Sequence, residues 1–280
     1  MILILNREET DISKRTVVLL YDLPIGHGPK ESKRTQILFD RVANSYPGVP
    51  VIITGDMTDS AELPQFEEIR EHLDQLSLTN PVLTVPGNHD YAWRGILFID
   101  DPWDDWVKYL GTPLGWRRRE VHWMGVDYEP EGVDGLGVWE DGPLVYFGID
   151  SGDPKDKEKM ARGYISRRLA DALDQSLKNY ANKTRIAMLH HHPFTDGLFT
   201  RLHGSARLMN ALENNCELLL FGHKHKYGIW WERRGIPLIV SSHKSTKKVS
   251  GDCLLITFID IDNAGSSEVS FTHRLETVQI

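Results

Sequence analysis

The chain has 280 residues, of which 40% are hydrophobic and 26% are charged, and its formal net charge is −8. This length supports one large globular domain or two small ones, and the acidic balance argues against a protein that wraps duplex nucleic acid along a basic face. Two cysteines are too few for a disulfide framework, and no apolar run is long enough for a signal sequence or a membrane span. We therefore expect a cytoplasmic protein without a membrane-spanning segment.

Five short apolar runs are predicted to be buried strands, and each is followed by side chains that bind metals in other proteins. In chain order the runs cover residues 17–21, 51–54, 82–85, 186–189 and 218–221. Runs of this length that are rich in β-branched residues are typical of buried strands. Because ligands collect at the carboxyl ends of the strands in open α/β sheets, we expect these side chains to meet at one point, most simply a metal cluster.

Segments with helical spacing lie between the predicted strands. Their apolar residues recur every three or four positions, and the three stripes are Leu38, Val42 and Tyr46; Phe66, Ile69, Leu73 and Leu76; and Ile165, Leu169, Leu173 and Leu177. The alternation of strand and helix implies parallel βαβ units. The tail differs, because its four strand-like segments, 229–232, 236–241, 254–261 and 268–272, have no helix between them. We expect these four strands to form or extend a second sheet.

Residues 91–143 interrupt both patterns. This segment holds six of the eight tryptophans, which are Trp93, Trp103, Trp106, Trp116, Trp123 and Trp139. Such residues fit a buried core or interface, or a surface on which bases stack. We interpret the segment as an aromatic-rich insertion that forms a lid over the strand ends.

The side chains after the predicted strands offer a mixture of oxygen and nitrogen ligands. Asp56 has two carboxylate oxygens that can bridge two cations, Asn88 has an amide oxygen, and His191, His223 and His225 have imidazole nitrogens. Mixed ligation of this kind suits Mn, Fe, Zn, Co or Ni better than Mg or Ca. Two such ions, roughly 3.5–4 Å apart, would hold a hydroxide and stabilise an in-line displacement at phosphorus.

Each of these signals also has an ordinary structural explanation. Asp56 and Asp59 fit the N-cap of a helix, and Asn88 with Asp90 fits a tight turn after Gly87. At least one histidine of the His190-His191-His192 run is expected to be a structural hydrogen-bonding group, and the lysines Lys244, Lys247 and Lys248 fit a solvated loop or a contact to a substrate phosphate. The metal interpretation rests on the whole ordered set.

Taken together, these residues resemble the calcineurin-like metallophosphoesterase superfamily. The residues that carry the resemblance are Gly55-Asp56-x-x-Asp59, Gly87-Asn88-His89-Asp90, the histidine pair before Pro193 and Gly222-His223-x-His225. Four of the family's five blocks are present in order, over about residues 16–245. The resemblance implies a four-layer αββα sandwich of two mixed β-sheets flanked by helices, with residues 1–280 forming a single domain. Within the superfamily, the chain resembles the cyclic-nucleotide phosphodiesterase-like members most.

The resemblance also implies a role for each matching residue. Asp56 would bridge two divalent or trivalent transition-metal ions. Asn88, His191 and His223 would bind the second ion, and Asp22 and His225 would bind the first. His89 would contact the substrate and assist the leaving group, with Asp90 behind it. Asp59 would orient a ligand, and His192 would lie near the substrate. His191 is chosen because the ligand histidine of the family lies two residues before the proline.

The first block departs from the family pattern. In Asp22-Leu23-Pro24, proline stands where the family has a ligand histidine, and a proline side chain cannot bind a metal. We therefore expect the first site to be weaker, more open, or completed by another group. Water is the plainest substitute, and His27 is a candidate if the loop folds back.

The reaction implied is the metal-dependent hydrolysis of a phosphoester, with a small phosphodiester as the first choice of substrate. An activated hydroxide would attack phosphorus, and His89 would protonate the departing oxygen. The alternatives are a phosphomonoesterase or nuclease on the same scaffold, or an interaction protein whose catalysis is weakened by Pro24. Nucleic acid is a less favoured partner, and the sequence leaves the oligomeric state open.

Overall fold

The computed structural model describes residues 14–93, 97–98, 102–110, 135–152, 161–195, 197, 200–249 and 251–280. The helices in these ranges are α1 (Pro29–Ser45), α2 (Leu63–Ser77), α3 (Pro102–Leu110), α4 (Arg167–Asn179) and α5 (Ser205–Leu212). The strands are β1 (Arg15–Leu20), β2 (Val51–Ile53), β3 (Val82–Thr84), β4 (Ala92–Trp93), β5 (Leu97–Phe98), β6 (Leu136–Asp141), β7 (Leu144–Ile149), β8 (Gly163–Tyr164), β9 (Thr184–Leu189), β10 (Leu202–His203), β11 (Leu218–Phe221), β12 (Gly228–Arg233), β13 (Ile236–Ser241), β14 (Cys253–Asp262) and β15 (Ser270–Gln279).

Most of the strands belong to two mixed sheets. The first has the order β15-β14-β1-β2-β3, in which β1, β2 and β3 are parallel and β14 and β15 are antiparallel additions. The second has the order β12-β13-β11-β9-β7-β6, with β7, β9, β11 and β13 parallel and an antiparallel strand at each edge. The parallel strands of each sheet therefore present their carboxyl ends at the same edge of that sheet.

The expectation that all four tail strands belong to a second sheet was wrong. β12 and β13 do extend the six-stranded sheet, but β14 crosses back and pairs with β1. The physical reason is that Val17 and Leu19 of β1 are completely buried, so the backbone of β1 needs a hydrogen-bonding neighbour on both sides. The sequence pattern indicates antiparallel strands but does not say which sheet each one joins.

The two sheets pack face to face with helices outside, which confirms the predicted αββα sandwich. Apolar residues from both sheets, together with buried residues of α1 and α2, form one core. Buried residues of α4 and α5 form a second core against the other face of the six-stranded sheet. Proline in the first turn begins α1 and α2, and the Ser166 hydroxyl caps α4 by accepting a hydrogen bond from the Leu169 backbone N–H at 3.0 Å.

The side chains of β9 alternate between the two cores. Ile186 and Met188 lie in the core between the sheets, whereas Ala187 and Leu189 lie in the core beneath α4 and α5. Successive side chains alternate between the two faces of a strand. The alternation directs the next residue, His190, toward the first sheet.

Much of the 91–143 segment, including Trp116 and Trp123, lies outside the described residues, and its role as a lid stays a prediction. Two of its described parts belong to the body of the fold. Trp106 of α3 is completely buried in the core between α2 and the first sheet, and Leu136–Asp141 is the edge strand β6. Among the described helices, none has the length and apolar character that crossing a membrane requires.

Candidate metal centre

Side chains at the carboxyl ends of five strands converge between the two sheets. They form two groups, each with ligand atoms within 4.8 Å of one another, and the groups are Asp22, Asp56 and His225, and His190, His191 and His223. Asp22 and Asp56 follow β1 and β2 of the first sheet, while the histidines follow β9 and β11 of the second. Asp22, Asp56, His191, His223 and His225, which were predicted to converge, therefore lie in these two groups, and Asn88 is described next.

His190, which the sequence analysis left out of the ligand set, lies at the centre of the second group. Its Nε2 atom is 2.9 Å from Asn88 Oδ1, 3.0 Å from His223 Nδ1 and 3.5 Å from Asp56 Oδ2. His223 Nδ1 is also 3.1 Å from Asn88 Oδ1. Atoms from two sheets and four loops thus face one small volume.

The chemistry of these atoms fits a bound cation. His190 Nδ1 lies 2.9 Å from the Thr54 carbonyl oxygen, and because a carbonyl only accepts, Nδ1 must carry the proton. Burial is the main cause that lowers the pKa of His190, so the ring is neutral and Nε2 presents a lone pair. That lone pair faces oxygens of Asn88 and Asp56, which are acceptors too. A buried imidazole nitrogen beside an amide oxygen and a carboxylate is an arrangement that a metal ion stabilises.

His223 also reaches this point as a neutral ring. Burial, followed by the neighbouring histidines, lowers its pKa well below the ordinary value. Neutral imidazole is the form that binds metals. A transition metal such as Mn, Fe, Zn, Co or Ni therefore fits Asp56, Asn88, His190 and His223.

His191, the sequence-based choice, also belongs to the second group, and its ring centroid lies 4.6 Å from that of His223. Its Nδ1 lies 2.9 Å from the Ser151 hydroxyl oxygen, which also accepts a hydrogen bond from the His191 backbone N–H at 3.1 Å. Ser151 follows β7 and orients the His191 ring through Nδ1, while the buried Nε2 atom has no hydrogen-bond partner among the described residues. Strand alternation could have added His190 as a further candidate, because Ile186 and Met188 of β9 lie in the core between the sheets.

The predicted role of His192 near the substrate does not match its surroundings. Its ring packs against the rings of Phe221, Phe194 and Trp230, with centroids 4.6, 5.9 and 5.8 Å away. Burial in this aromatic cluster is the main cause that lowers the pKa of His192 to about 4. His192 is therefore a neutral packing residue on the outer side of β9 and β11.

The first group contains a cation of its own, Lys244. The lysine Nζ atom lies 3.1 Å from Asp22 Oδ1 and 3.0 Å from Asp22 Oδ2, and His225 Nε2 lies 3.0 Å from Asp22 Oδ2. Burial opposes ionisation of Asp22, but the contacts with His225 and Lys244 outweigh it, and the pKa of this carboxyl is lowered. The sequence analysis considered Lys244 a loop residue or a phosphate contact and did not connect it with Asp22.

His27 does not join the first group. Its Nδ1 lies 3.1 Å from Asp59 Oδ1 on an exposed surface. The loop after Pro24 runs beside the turn that follows β2, since Leu23 and Ile25 donate backbone hydrogen bonds to Asp56 and Met57 at 2.9 and 3.0 Å. This path carries His27 toward Asp59 and away from Asp22.

His89 is oriented by Asp59, and the expectation that Asp90 stands behind it was wrong. His89 Nδ1 lies 2.9 Å from the Asp59 carbonyl oxygen. Burial opposes protonation of His89, but the charge of Asp56 and the Asp59 carbonyl outweigh it, and the pKa of the imidazole is raised. A histidine with a raised pKa carries a proton that it can give to a leaving group.

Asp90 instead joins the two turns of the site. Its Oδ1 accepts hydrogen bonds from the backbone N–H groups of Met57 and Thr58 at 3.0 and 2.9 Å and from the Thr58 hydroxyl at 3.1 Å. Its Oδ2 accepts from the Gly87 N–H at 2.9 Å. Burial, and then the charge of Asp56, raises the pKa of Asp90 to about 7, although these four hydrogen bonds favour the ionised form.

We expect Asp90→Asn to lower the free energy of unfolding by about 2–4 kcal/mol, because the amide places an NH2 group against donors that need an acceptor. Asp74→Asn is the matched control, since the Asp74 carboxylate forms a surface ion pair with Arg70 at 2.6 Å, and the substitution should cost about 0.5 kcal/mol. Urea unfolding of both variants measures the difference. Equal small losses would mean that Asp90 does not hold the turns together.

Four of the site residues have a backbone conformation that is unusual for residues other than glycine. The φ angles of Asp22, Asp56, His223 and His225 are 55°, 55°, 71° and 51°. Non-glycine residues in this region are strained, and such strain concentrates at functional sites.

A cavity of about 210 Å³ opens beside the first group. It combines basic side chains with aromatic and aliphatic ones, and its lining consists of His225, Tyr227, His243, Lys244, Lys247, Lys248, Val249, Leu255 and Leu275. Space of this kind suits a substrate group that is both anionic and partly apolar.

Comparison of the sequence with protein families gives one match. The sequence model of the calcineurin-like phosphoesterases matches residues 25–227. The chain belongs to the calcineurin-like phosphoesterase family. Comparison with curated proteins found no match. The sequence blocks that carry the resemblance contribute to the two groups described above, and Pro24 is the departure in the first block.

Solved structures share the calcineurin-like phosphoesterase fold at low sequence identity. A dimetal phosphatase from Danio rerio has a TM-score of 0.64 and 12% identity over 95% of this chain and 98% of its own. A putative 5′-nucleotidase from Staphylococcus aureus has a TM-score of 0.57 and 11% identity over 96% of this chain, which spans only 55% of that protein. GAP50, described as the anchor in the inner membrane complex of Plasmodium, has a TM-score of 0.54 and 11% identity over 96% of this chain and 89% of its own.

Proposed function

We propose that the protein hydrolyses phosphoester bonds with the help of a transition-metal ion held by Asp56, Asn88, His190 and His223. The observation that carries the proposal is the position of His190 Nε2, which lies 2.9 Å from Asn88 Oδ1, 3.0 Å from His223 Nδ1 and 3.5 Å from Asp56 Oδ2. An ion bound there would polarise a phosphoryl oxygen and make a water molecule more acidic at neutral pH. Membership of the phosphoesterase family supports the same reaction class.

The protein's own side chains would position the substrate and move the proton. His89, held by the Asp59 carbonyl at 2.9 Å, would give its proton to the departing oxygen. Asp56, whose Oδ1 accepts a hydrogen bond from the His89 backbone N–H at 3.0 Å, would hold His89 and the ion in a fixed relative position. The Lys244 ammonium would attract the negative charge of the phosphoryl group.

A small phosphodiester is the proposed substrate class, with a nucleotide-type group among the candidates. The cavity of about 210 Å³ beside His225 would take the second ester group, because Tyr227 and Leu275 offer apolar surface and Lys247 offers charge. Phosphomonoester hydrolysis is the second candidate, favoured by the likeness of the fold to a dimetal phosphatase.

The test is hydrolysis of bis(p-nitrophenyl) phosphate, p-nitrophenyl phosphate and a cyclic nucleotide by chelator-treated protein. We expect no turnover without metal, turnover after addition of Mn, Fe, Zn, Co or Ni, and a higher kcat/KM for diesters than for the monoester. A preference for the monoester would favour the second candidate. No hydrolysis of any substrate with any of these metals would contradict the proposed function and favour an interaction protein.

A further inference from the structure

We propose that Lys244 takes the place of the first metal ion, so that the chain holds one ion where most of the site's architecture would suggest two. The inference rests on the proposed function only in assuming that Asp56, Asn88, His190 and His223 bind an ion. It adds that the Lys244 side chain supplies the positive charge at the first position.

The contacts of Lys244 are those of a cation that neutralises a buried ligand. Its Nζ atom lies 3.1 and 3.0 Å from the two oxygens of Asp22, a carboxylate that is 4% exposed. A buried carboxylate requires a positive partner. The lysine provides one without a metal, and it does so on both oxygens that would otherwise bind an ion.

The backbone holds Lys244 in this position. The residues that follow it are completely buried, and three hydrogen bonds join them to the end of β1. The Tyr21 N–H donates to the Ser245 hydroxyl at 3.1 Å, the Ser245 N–H donates to the Tyr21 carbonyl at 2.9 Å, and the Thr246 hydroxyl donates to the Asp22 carbonyl at 3.1 Å. Lys244 is therefore fixed beside Asp22, unlike a lysine on a solvated loop.

The remaining ligands of the first position are few. Pro24 offers no donor, and His27 is paired with Asp59 at 3.1 Å. This leaves Asp22, Asp56 and the half-exposed His225, and Asp56 also faces the second position. A divalent ion placed among them would lie against the ammonium of Lys244, and repulsion between like charges would oppose its binding.

The test is the number of Mn²⁺ ions bound per folded chain, measured by elemental analysis after removal of free metal, with electron paramagnetic resonance to detect coupled pairs. The variants are Pro24→His, Lys244→Met and the double variant, and Lys247→Met serves as the matched control. We expect one ion in the wild-type protein, in Lys247→Met and in Pro24→His, and two coupled ions in the double variant. Lys244→Gln in place of Lys244→Met repeats the test if the methionine variant does not fold.

The outcomes separate this inference from the proposed function. Two ions in the wild-type protein or in Pro24→His would overturn the inference, because Lys244 would not exclude the first ion. One ion in the double variant would overturn it as well. No ion in any variant would contradict the proposed metal site itself, and the inference would fall with it.

Discussion

Asp56→Asn is expected to lower kcat/KM for phosphoester hydrolysis by about 10³-fold or more, the loss of several kcal/mol of transition-state stabilisation. Asp56 is buried, and its Oδ2 lies 3.5 Å from His190 Nε2. It also belongs to the group that contains Asp22 and His225. Replacing the carboxylate with an amide removes the negative charge that links the two positions and the oxygen that faces the metal.

The fold of this variant should survive. Asparagine tolerates the φ angle of 55° at this position better than most residues, and its Oδ1 can still accept the His89 N–H. Asp59→Asn is the control, because Asp59 contacts His27 and lies outside both ligand groups, and we expect a loss within about tenfold. Steady-state kinetics together with metal analysis measures both variants. A fully active Asp56→Asn enzyme would refute the role of this carboxylate.

His190→Ala is expected to weaken metal binding by about 10²-fold or more, whereas His191→Ala should weaken it by less than about tenfold. The difference follows from the partners of the two rings. His190 Nε2 faces Asn88, Asp56 and His223, while His191 Nδ1 faces the Ser151 hydroxyl at 2.9 Å. Titration of the metal-free proteins with Mn²⁺ by calorimetry measures the two affinities.

The two histidine variants are matched controls for each other. Both rings are completely buried, so each substitution removes a ring of the same size and leaves a similar cavity. Urea unfolding of the metal-free proteins corrects for any difference in stability. If His191→Ala loses the metal and His190→Ala keeps it, the spacing to Pro193 identifies the ligand and the strand alternation does not.

The fold and the convergence of the strand ends could be predicted from the sequence because the signals are local. Apolar runs followed by Asp56, Asn88 and His223 depend on a few adjacent residues and on the rule that parallel strands present their carboxyl ends together. The sequence alone does not decide between His190 and His191. Both rings belong to the second group, and the sequence does not state which face of β9 meets the first sheet.

Contacts between distant parts of the chain could not be predicted. Lys244 meets Asp22 across 222 residues, and nothing near either residue indicates the pairing. The same limit applies to β14, which returns to β1 although its sequence fits either sheet. Asp90 is a third case, since its four donors come from turns that only the folded sheet brings together.

The proposed function requires one ion that is bound between the two sheets by side chains from both sheets. A crystal soaked with Mn²⁺ and measured by anomalous diffraction at the manganese edge tests this directly. We expect an anomalous peak about 2.0–2.3 Å from His190 Nε2, His223 Nδ1 and an oxygen of Asp56. A crystal with no peak there, or with the metal bound at His191 and the His190 ring turned away, would contradict the account.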